Sequence, residues 1–169
     1  MVKNGDADAM LSGYSRNYPA VIKPILEVIG PAKGVRRVAA TNLMLTKRGP
    51  IFLSDTSLNI NPNAKELAKI AQMTSQTVKM FGLQPVLAML SFSNYGSSQF
   101  LEATKISEAV KILHRYYPDI NVDGPVQSDF ALNKKMLKSK FPFSHLTNKN
   151  VNTLVFPNLD SANITYKLM

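Results

Sequence analysis

Apolar positions recur along this chain with two periods, and the switches between them mark its elements. Val86 to Leu90 is a short apolar run bounded by turn residues, which predicts a strand buried on both faces. The small polar residues Ser91, Ser93, Asn94, Gly96, Ser97 and Ser98 follow, and a helical pattern runs from Phe100 to Tyr117. Upstream, Gly5-Asp6-Ala7-Asp8 predicts a turn into a helix through Met10 to Gly13, its two acids placed to suit the helix dipole. Val21, Ile22, Ile25, Leu26, Val28 and Ile29 recur at helical spacing and stop at Gly30-Pro31. Gly34 opens a short loop. Val35 to Thr46 and Ile51 to Leu53 read as two strands of a hairpin around Lys47-Arg48-Gly49-Pro50.

A polar loop from Asp55 to Pro62 leads into a helix over Asn63 to Phe81, striped by Leu67, Ile70, Ala71, Thr74, Val78 and Phe81 and stopped by Gly82. Beyond Tyr117 the pattern predicts a strand at Ile120 to Val122 and a turn at Asp123-Gly124-Pro125. A helix over Val126 to Leu132, a basic run and a loop at Phe141 to His145 come next. A strand over Val151 to Phe156 and a last helix after Pro157-Asn158 complete the series. After the hairpin, helices and strands therefore alternate. Alternation implies an α/β fold with a mostly parallel sheet between helical layers. Residues 1–60 read as a helical lead-in plus β-hairpin, and 61–169 as the alternating core. Three strand ends converge on one edge, at Ser91 to Ser98, Asp123 to Asp129 and Pro157 to Asn163, and that edge is where a ligand is expected.

Composition adds little to the fold but narrows the function. The 169 residues hold enough apolar content, 45%, for a core, and no apolar run approaches a membrane span of about 20 residues. There is no cysteine, hence no disulfide framework or thiolate metal site, and no leader-like stretch follows Met1; a cytoplasmic protein is expected. The net charge of +9 admits an anionic partner. The basic residues are scattered, and the run Lys134-Lys135-Met136-Leu137-Lys138-Ser139-Lys140 has no interleaved aromatics, so it reads as a solvated helix face and no nucleic-acid partner is expected.

The chemistry concentrates in Ser91 to Ser98. Unpaired N–H groups at a helix start suit a phosphate or carboxylate, Gly96 admits close backbone approach, and serines add neutral donors. The same residues also suit an ordinary helix cap. Asp123 and Asp129 read as turn and capping residues, and His114 and His145 as isolated structural histidines without a spaced carboxylate partner.

Several blocks stand in a telling order: Gly5-Asp6-Ala7-Asp8, Leu90-Ser91-Phe92-Ser93 with Gly96-Ser97, Asp123-Gly124 with Gln127 and Asp129, and Phe156-Pro157-Asn158-Leu159 with Asn163-Ile164 and Tyr166-Lys167. Together they resemble the phosphate acetyl/butyryltransferase family over nearly the whole chain. Ser15-Arg16-Asn17-Tyr18, Ser93-Asn94-Tyr95-Gly96, Ala131-Leu132-Asn133 and Ser161-Ala162-Asn163 resemble one branch more closely, the phosphotransacetylase-like C-terminal domain of large NADP-dependent malic enzymes.

The resemblance implies a three-layer α/β/α, isocitrate-dehydrogenase-like fold, here truncated, since Met169 precedes the Gln-Arg pair and Asn-Asp-Leu-Ser-Arg-Gly segment of active relatives. It implies a fragment that binds acetyl-CoA as a regulatory ligand and has no catalytic residue of its own. It further implies a homodimer, within a larger oligomer of the parent protein, and no membrane partner. NADP and a divalent metal would belong to an upstream catalytic domain that oxidatively decarboxylates malate to pyruvate. The alternative is part of a catalytic phosphate acetyltransferase that interconverts acetyl-CoA and acetyl phosphate. The ligand-binding residues expected are Ser91, Ser93, Asn94, Gly96 and Ser97, with Asn163, Tyr166 and Lys167 from the neighbouring strand end and Arg16 reaching across a dimer. Leu53, Leu58 and Ile60, read as apolar residues outside the central sheet, are expected at that dimer interface.

Overall fold

A computed structural model describes residues 1–13, 15–31, 33, 35 and 37–169. Gly34, expected to open a loop, lies outside the described residues. The chain forms two compact units, Met1–Val38 and Ala39–Met169.

In the first unit, α1 spans Tyr18–Val28. Asn17 caps it by accepting from the Ala20 N–H at 3.1 Å, and Pro19 sits in the first turn, where a missing N–H costs little. Gly30, at φ 71°, ends it with its N–H on the Ile25 carbonyl at 3.2 Å. The helix expected over residues 6–13 does not form. Among the described residues only a 3-10 turn, Val2–Asn4, precedes α1, and it closes on Gly5 at φ 82°. The segment from Met10 to Gly13 is exposed and offers no apolar stripe to bury, so nothing offsets the cost of nucleating a helix there.

The second unit is a five-stranded sheet in the order β1-β2-β5-β3-β4, with strands Thr41–Thr46, Gly49–Ser54, Val86–Leu90, Asn121–Val126 and Thr153–Val155 numbered in chain order. β1 and β2 form the expected antiparallel hairpin, and every other pairing is parallel. β1 is shorter than expected because its pairing ends at Thr41 with Ser54, and the Ala40 N–H turns to the Asp55 carboxylate at 3.1 Å. β2 joins the sheet through β5, which buries Leu53 completely. Leu53 is thus a core residue and not part of an exposed apolar patch; Ile60 stays 75% exposed.

Helices α2 (Ala64–Met80) and α3 (Leu101–Tyr116) cover one face. Their Leu67, Ile70, Ala71, Ile106, Ala109 and Leu113 pack on Leu87, Met89, Val122 and Val155. Helices α4 (Ser128–Leu132), α5 (Lys134–Lys140) and α6 (Leu159–Leu168) cover the other. There Ala131, Leu137 and Ala162 pack on Leu53, Val86, Ala88, Leu90, Val126 and Leu154. The alternation of Val86, Leu87, Ala88, Met89 and Leu90 between the two cores is the period of a strand buried on both faces. α2 is fastened by a capping box in which Asn63 Oδ1 accepts from the Glu66 N–H at 3.0 Å and Glu66 accepts from the Asn63 N–H at 2.9 Å.

Asp123-Gly124-Pro125 is not a turn. β4 continues through it to Val126, with a cis bond between Gly124 and Pro125. Ala88 pairs with Asp123 while Leu90 pairs with Val126, so β4 carries one extra residue, a bulge. Val122 and Val126 consequently face opposite cores despite their even spacing. Helix α4 begins at Ser128 rather than Val126 for the same reason, and Asn133 separates it from α5 by capping the Met136 N–H at 3.1 Å.

Candidate functional site

Strands β3 and β5 lie side by side, yet the helices that follow them leave to opposite faces, α3 to one core and α6 to the other. Such a switch point opens a crevice beyond the strand ends. A cleft of about 780 Å³ occupies it, floored by Leu90, Leu154 and Phe156. Its walls come from the loops after β2, β3 and β5 and from α3, α4 and α6, including Asn61, Ser91, Phe92, Lys105, Ser128, Ser161 and Thr165.

Lys105 on α3 is the one cation among the described residues lining this cleft. Its ammonium donates to Asn61 Oδ1 at 2.8 Å and to the Pro157 carbonyl at 3.0 Å, tying α3 to the loops after β2 and β5. An ammonium has three donors, so one remains for a ligand. Burial lowers the Lys105 pKa below its ordinary value, partly opposed by the Glu102 carboxylate. Glu102 and Asp160 also line the cleft, but both are exposed and their fields are screened, whereas Lys105 is half-buried.

The loop that presents Asn61 is built on a buried carboxylate. Asp55 Oδ1 accepts the N–H groups of Ala40, Ser57 and Leu58 at 3.1, 3.1 and 3.2 Å. Asp55 Oδ2 accepts the Asn59 N–H at 3.0 Å and the Asn59 side-chain amide. The satisfied carboxylate closes a turn that returns the chain from β2 to α2.

Of the expected site residues, Ser91 lines the cleft, and its Oγ accepts the Ser93 N–H at 3.3 Å. The others have different surroundings. The Ser93 and Ser97 hydroxyls bond one another at 2.8 Å, and Ser97 Oγ also accepts the Asn94 N–H at 3.1 Å. Asn94 and Gln127 form a reciprocal pair: the Asn94 amide donates to Gln127 Oε1 at 2.6 Å, and the Gln127 N–H donates to Asn94 Oδ1 at 2.8 Å. Gly96, at φ 86°, is exposed. Asn163 donates to the Thr56 carbonyl at 3.2 Å, and Lys167 lies 5.7 Å from the Tyr166 ring centroid. Arg16 belongs to the first unit, where it lines a small pocket with Met10, Ser12 and Pro24.

Asp123 is more than a turn residue. Its buried carboxylate accepts from the Ser144 hydroxyl and the His145 N–H, each at 2.8 Å, and from the Gly124 N–H at 2.9 Å. His114 and His145, isolated in sequence, stack with ring centroids 5.0 Å apart, and His114 Nε2 lies 2.9 Å from the Val122 carbonyl. Among the described residues no three His, Cys, Asp or Glu side chains cluster as metal ligands, and no helix is long and apolar enough to cross a membrane.

Sequence reasoning missed Lys105, Asn61 and Asp55. Lys105 is hidden because it sits inside an amphipathic helix, three residues after Glu102, where a lysine reads as solvated surface. Asp55 left a usable signal, since Asp-Thr-Ser-Leu-Asn is rich in residues that bond the backbone ahead of them.

The family model described as Phosphate acetyl/butaryl transferase matches residues 1–169. The chain is 38% identical to an NADP-dependent malic enzyme of Haemophilus influenzae over 98% of its own length and 22% of that protein. It is 34% identical to a phosphate acetyltransferase of Bacillus subtilis over 99% of its length and 52% of that protein. Its fold is similar to a phosphotransacetylase from Streptococcus pyogenes, with a TM-score of 0.89 and 37% identity over 99% of this chain and 51% of that one. The chain therefore spans about a fifth of the malic enzyme and about half of the acyltransferases.

Proposed function

Because this chain belongs to the phosphate acetyl/butaryl transferase family, we propose that its cleft binds an acetyl-CoA-like thioester and that, within an NADP-dependent malic enzyme, this binding is regulatory. Lys105 carries the reading. A half-buried ammonium with a donor to spare, on an apolar floor, suits an acyl or phosphate oxygen attached to an apolar body. The hydroxyls and amides of the Ser91–Ser98 loop bond one another and Gln127, so the loop holds the wall of the cleft in place. Regulation requires a ligand that binds one conformation better than another, with a coupling of typically about 1–3 kcal/mol. Lys105 joins α3 to two loops, so a ligand that competes for its donors would loosen or tighten that junction. NADP and a divalent metal would act in a malic-enzyme catalytic part outside this chain.

A second reading, catalysis of acetyl transfer between CoA and phosphate, has equal support from the likeness to the Bacillus subtilis and Streptococcus pyogenes proteins. There, holding two substrates side by side would supply much of the rate. The full-length protein that contains this chain separates the two. Regulation predicts that acetyl-CoA lowers the rate of malate oxidation and that CoA-dependent arsenolysis of acetyl phosphate stays at background. Robust arsenolysis, with malate oxidation indifferent to acetyl-CoA, would establish the catalytic reading instead.

A further inference from the structure

The opposite edge of the sheet holds a second pocket, at the N-terminal ends of β2, β3 and β5. It has a volume of about 410 Å³ and shares only Leu132 with the cleft among its lining residues. Three cations line it from three separate elements: Arg48 at the hairpin tip, Lys134 at the start of α5, and Lys149 in the loop before β5. No carboxylate lines it. The ion pairs among the described residues are Lys23 with Glu27 and the N-terminus with Asp6, so these three cations have no acidic partner.

The wall is firmly built. Asn152 Oδ1 accepts the Val86 N–H at 2.9 Å and its amide donates to the Gln84 carbonyl at 2.9 Å, while Lys149 donates to Asn121 Oδ1 at 2.5 Å. Three cations line this pocket with no acid among its lining residues, whereas natural surfaces ordinarily intersperse acids among them. An anion in the pocket supplies the opposite charge. We propose that this pocket binds a small organic diphosphate, such as a nucleoside diphosphate. A terminal phosphate carries about −1.5 to −2 charges near neutral pH, so two linked phosphates approach the charge of three cations. The floor of Ile51, Leu83 and Val151 accommodates an apolar body attached to them. A nucleic-acid strand fits less well, because no aromatic side chain lines the pocket for base stacking.

ADP is the probe, titrated into the isotopically labelled protein at fixed ionic strength with sulfate as the control anion. The proposal predicts saturable amide shifts at residues 48, 49, 51, 83 and 149–152. Affinity should fall at least tenfold in each of Arg48→Gln and Lys134→Gln, both exposed positions where a neutral amide leaves the fold intact. Shifts that grow linearly, that sulfate reproduces, that centre on the cleft, or that persist unchanged in both variants would overturn it.

Discussion

Tyr95 is held from three sides. Its backbone is left-handed at φ 42°, a conformation most non-glycine residues avoid. Its ring packs on Phe141 and Phe143 with centroids 4.9 and 5.2 Å away. Its hydroxyl donates to Ser144 Oγ at 2.7 Å, which in turn donates to the Asp123 carboxylate at 2.8 Å. Burial raises the phenol pKa from 10.0 to about 12, the Ser144 bond opposes the rise, and the Asp123 charge adds to it. An acid whose pKa is raised by folding stabilises the protein fully below its unfolded pKa, and that contribution disappears as pH climbs through the folded value. The stability advantage of wild type over Tyr95→Phe should therefore hold to about pH 10 and shrink between about pH 10 and 12. Urea midpoints of both proteins across that range test it, and a difference independent of pH would refute the buried phenol.

At the scale of elements, the bulge in β4 sets how closely two strands approach. A methyl group on Gly124 would lie 2.5 Å from the Met89 carbonyl oxygen and 2.9 Å from Met89 Cβ, at a φ of 147°. Backbone cannot yield there as a flexible side chain would. Gly124→Ala should cost about 3 kcal/mol or more in urea unfolding, against about 1 kcal/mol for Gly96→Ala, where a methyl meets nothing within 4 Å. Equal costs at the two positions would contradict the close approach of β3 and β4. The same bulge explains a limit of reading the sequence. Gly-Pro after Asp normally punctuates a turn, and here the pairing with β3, together with the Ser91 and Tyr95 N–H groups on the Val126 and Pro125 carbonyls at 3.0 and 2.8 Å, keeps the segment in the sheet. Elements with both a clear period and a local stop, such as α2 with its Asn63 cap and Gly82, are legible from sequence. Those decided by distant partners are not. β2 became an inner strand through β5, about a hundred residues later, and Lys105 became a cleft residue through Asn61 and Pro157.

At the scale of the whole molecule, the cleft and the second pocket lie at opposite ends of the strands of the sheet. The cleft edge was foreseen from the convergence of loops after β3, β4 and β5, although the residues that face it differ from most of those expected. The serine-rich loop drew attention because its residue types suit an anion, and its Ser93, Asn94 and Ser97 side chains bond within the loop and to Gln127. Lys105 is the cation among the described residues that line the cleft, and in the proposed function it meets the ligand's oxygen. A bond between a charged group and its partner is worth about 1.5–3 kcal/mol, which corresponds to roughly ten- to 150-fold in affinity. Calorimetric titration of acetyl-CoA into wild type and Lys105→Ala is the direct test of the cleft. Saturable binding to wild type, weakened at least tenfold in the variant, is the predicted result; equal affinity for both proteins would contradict it.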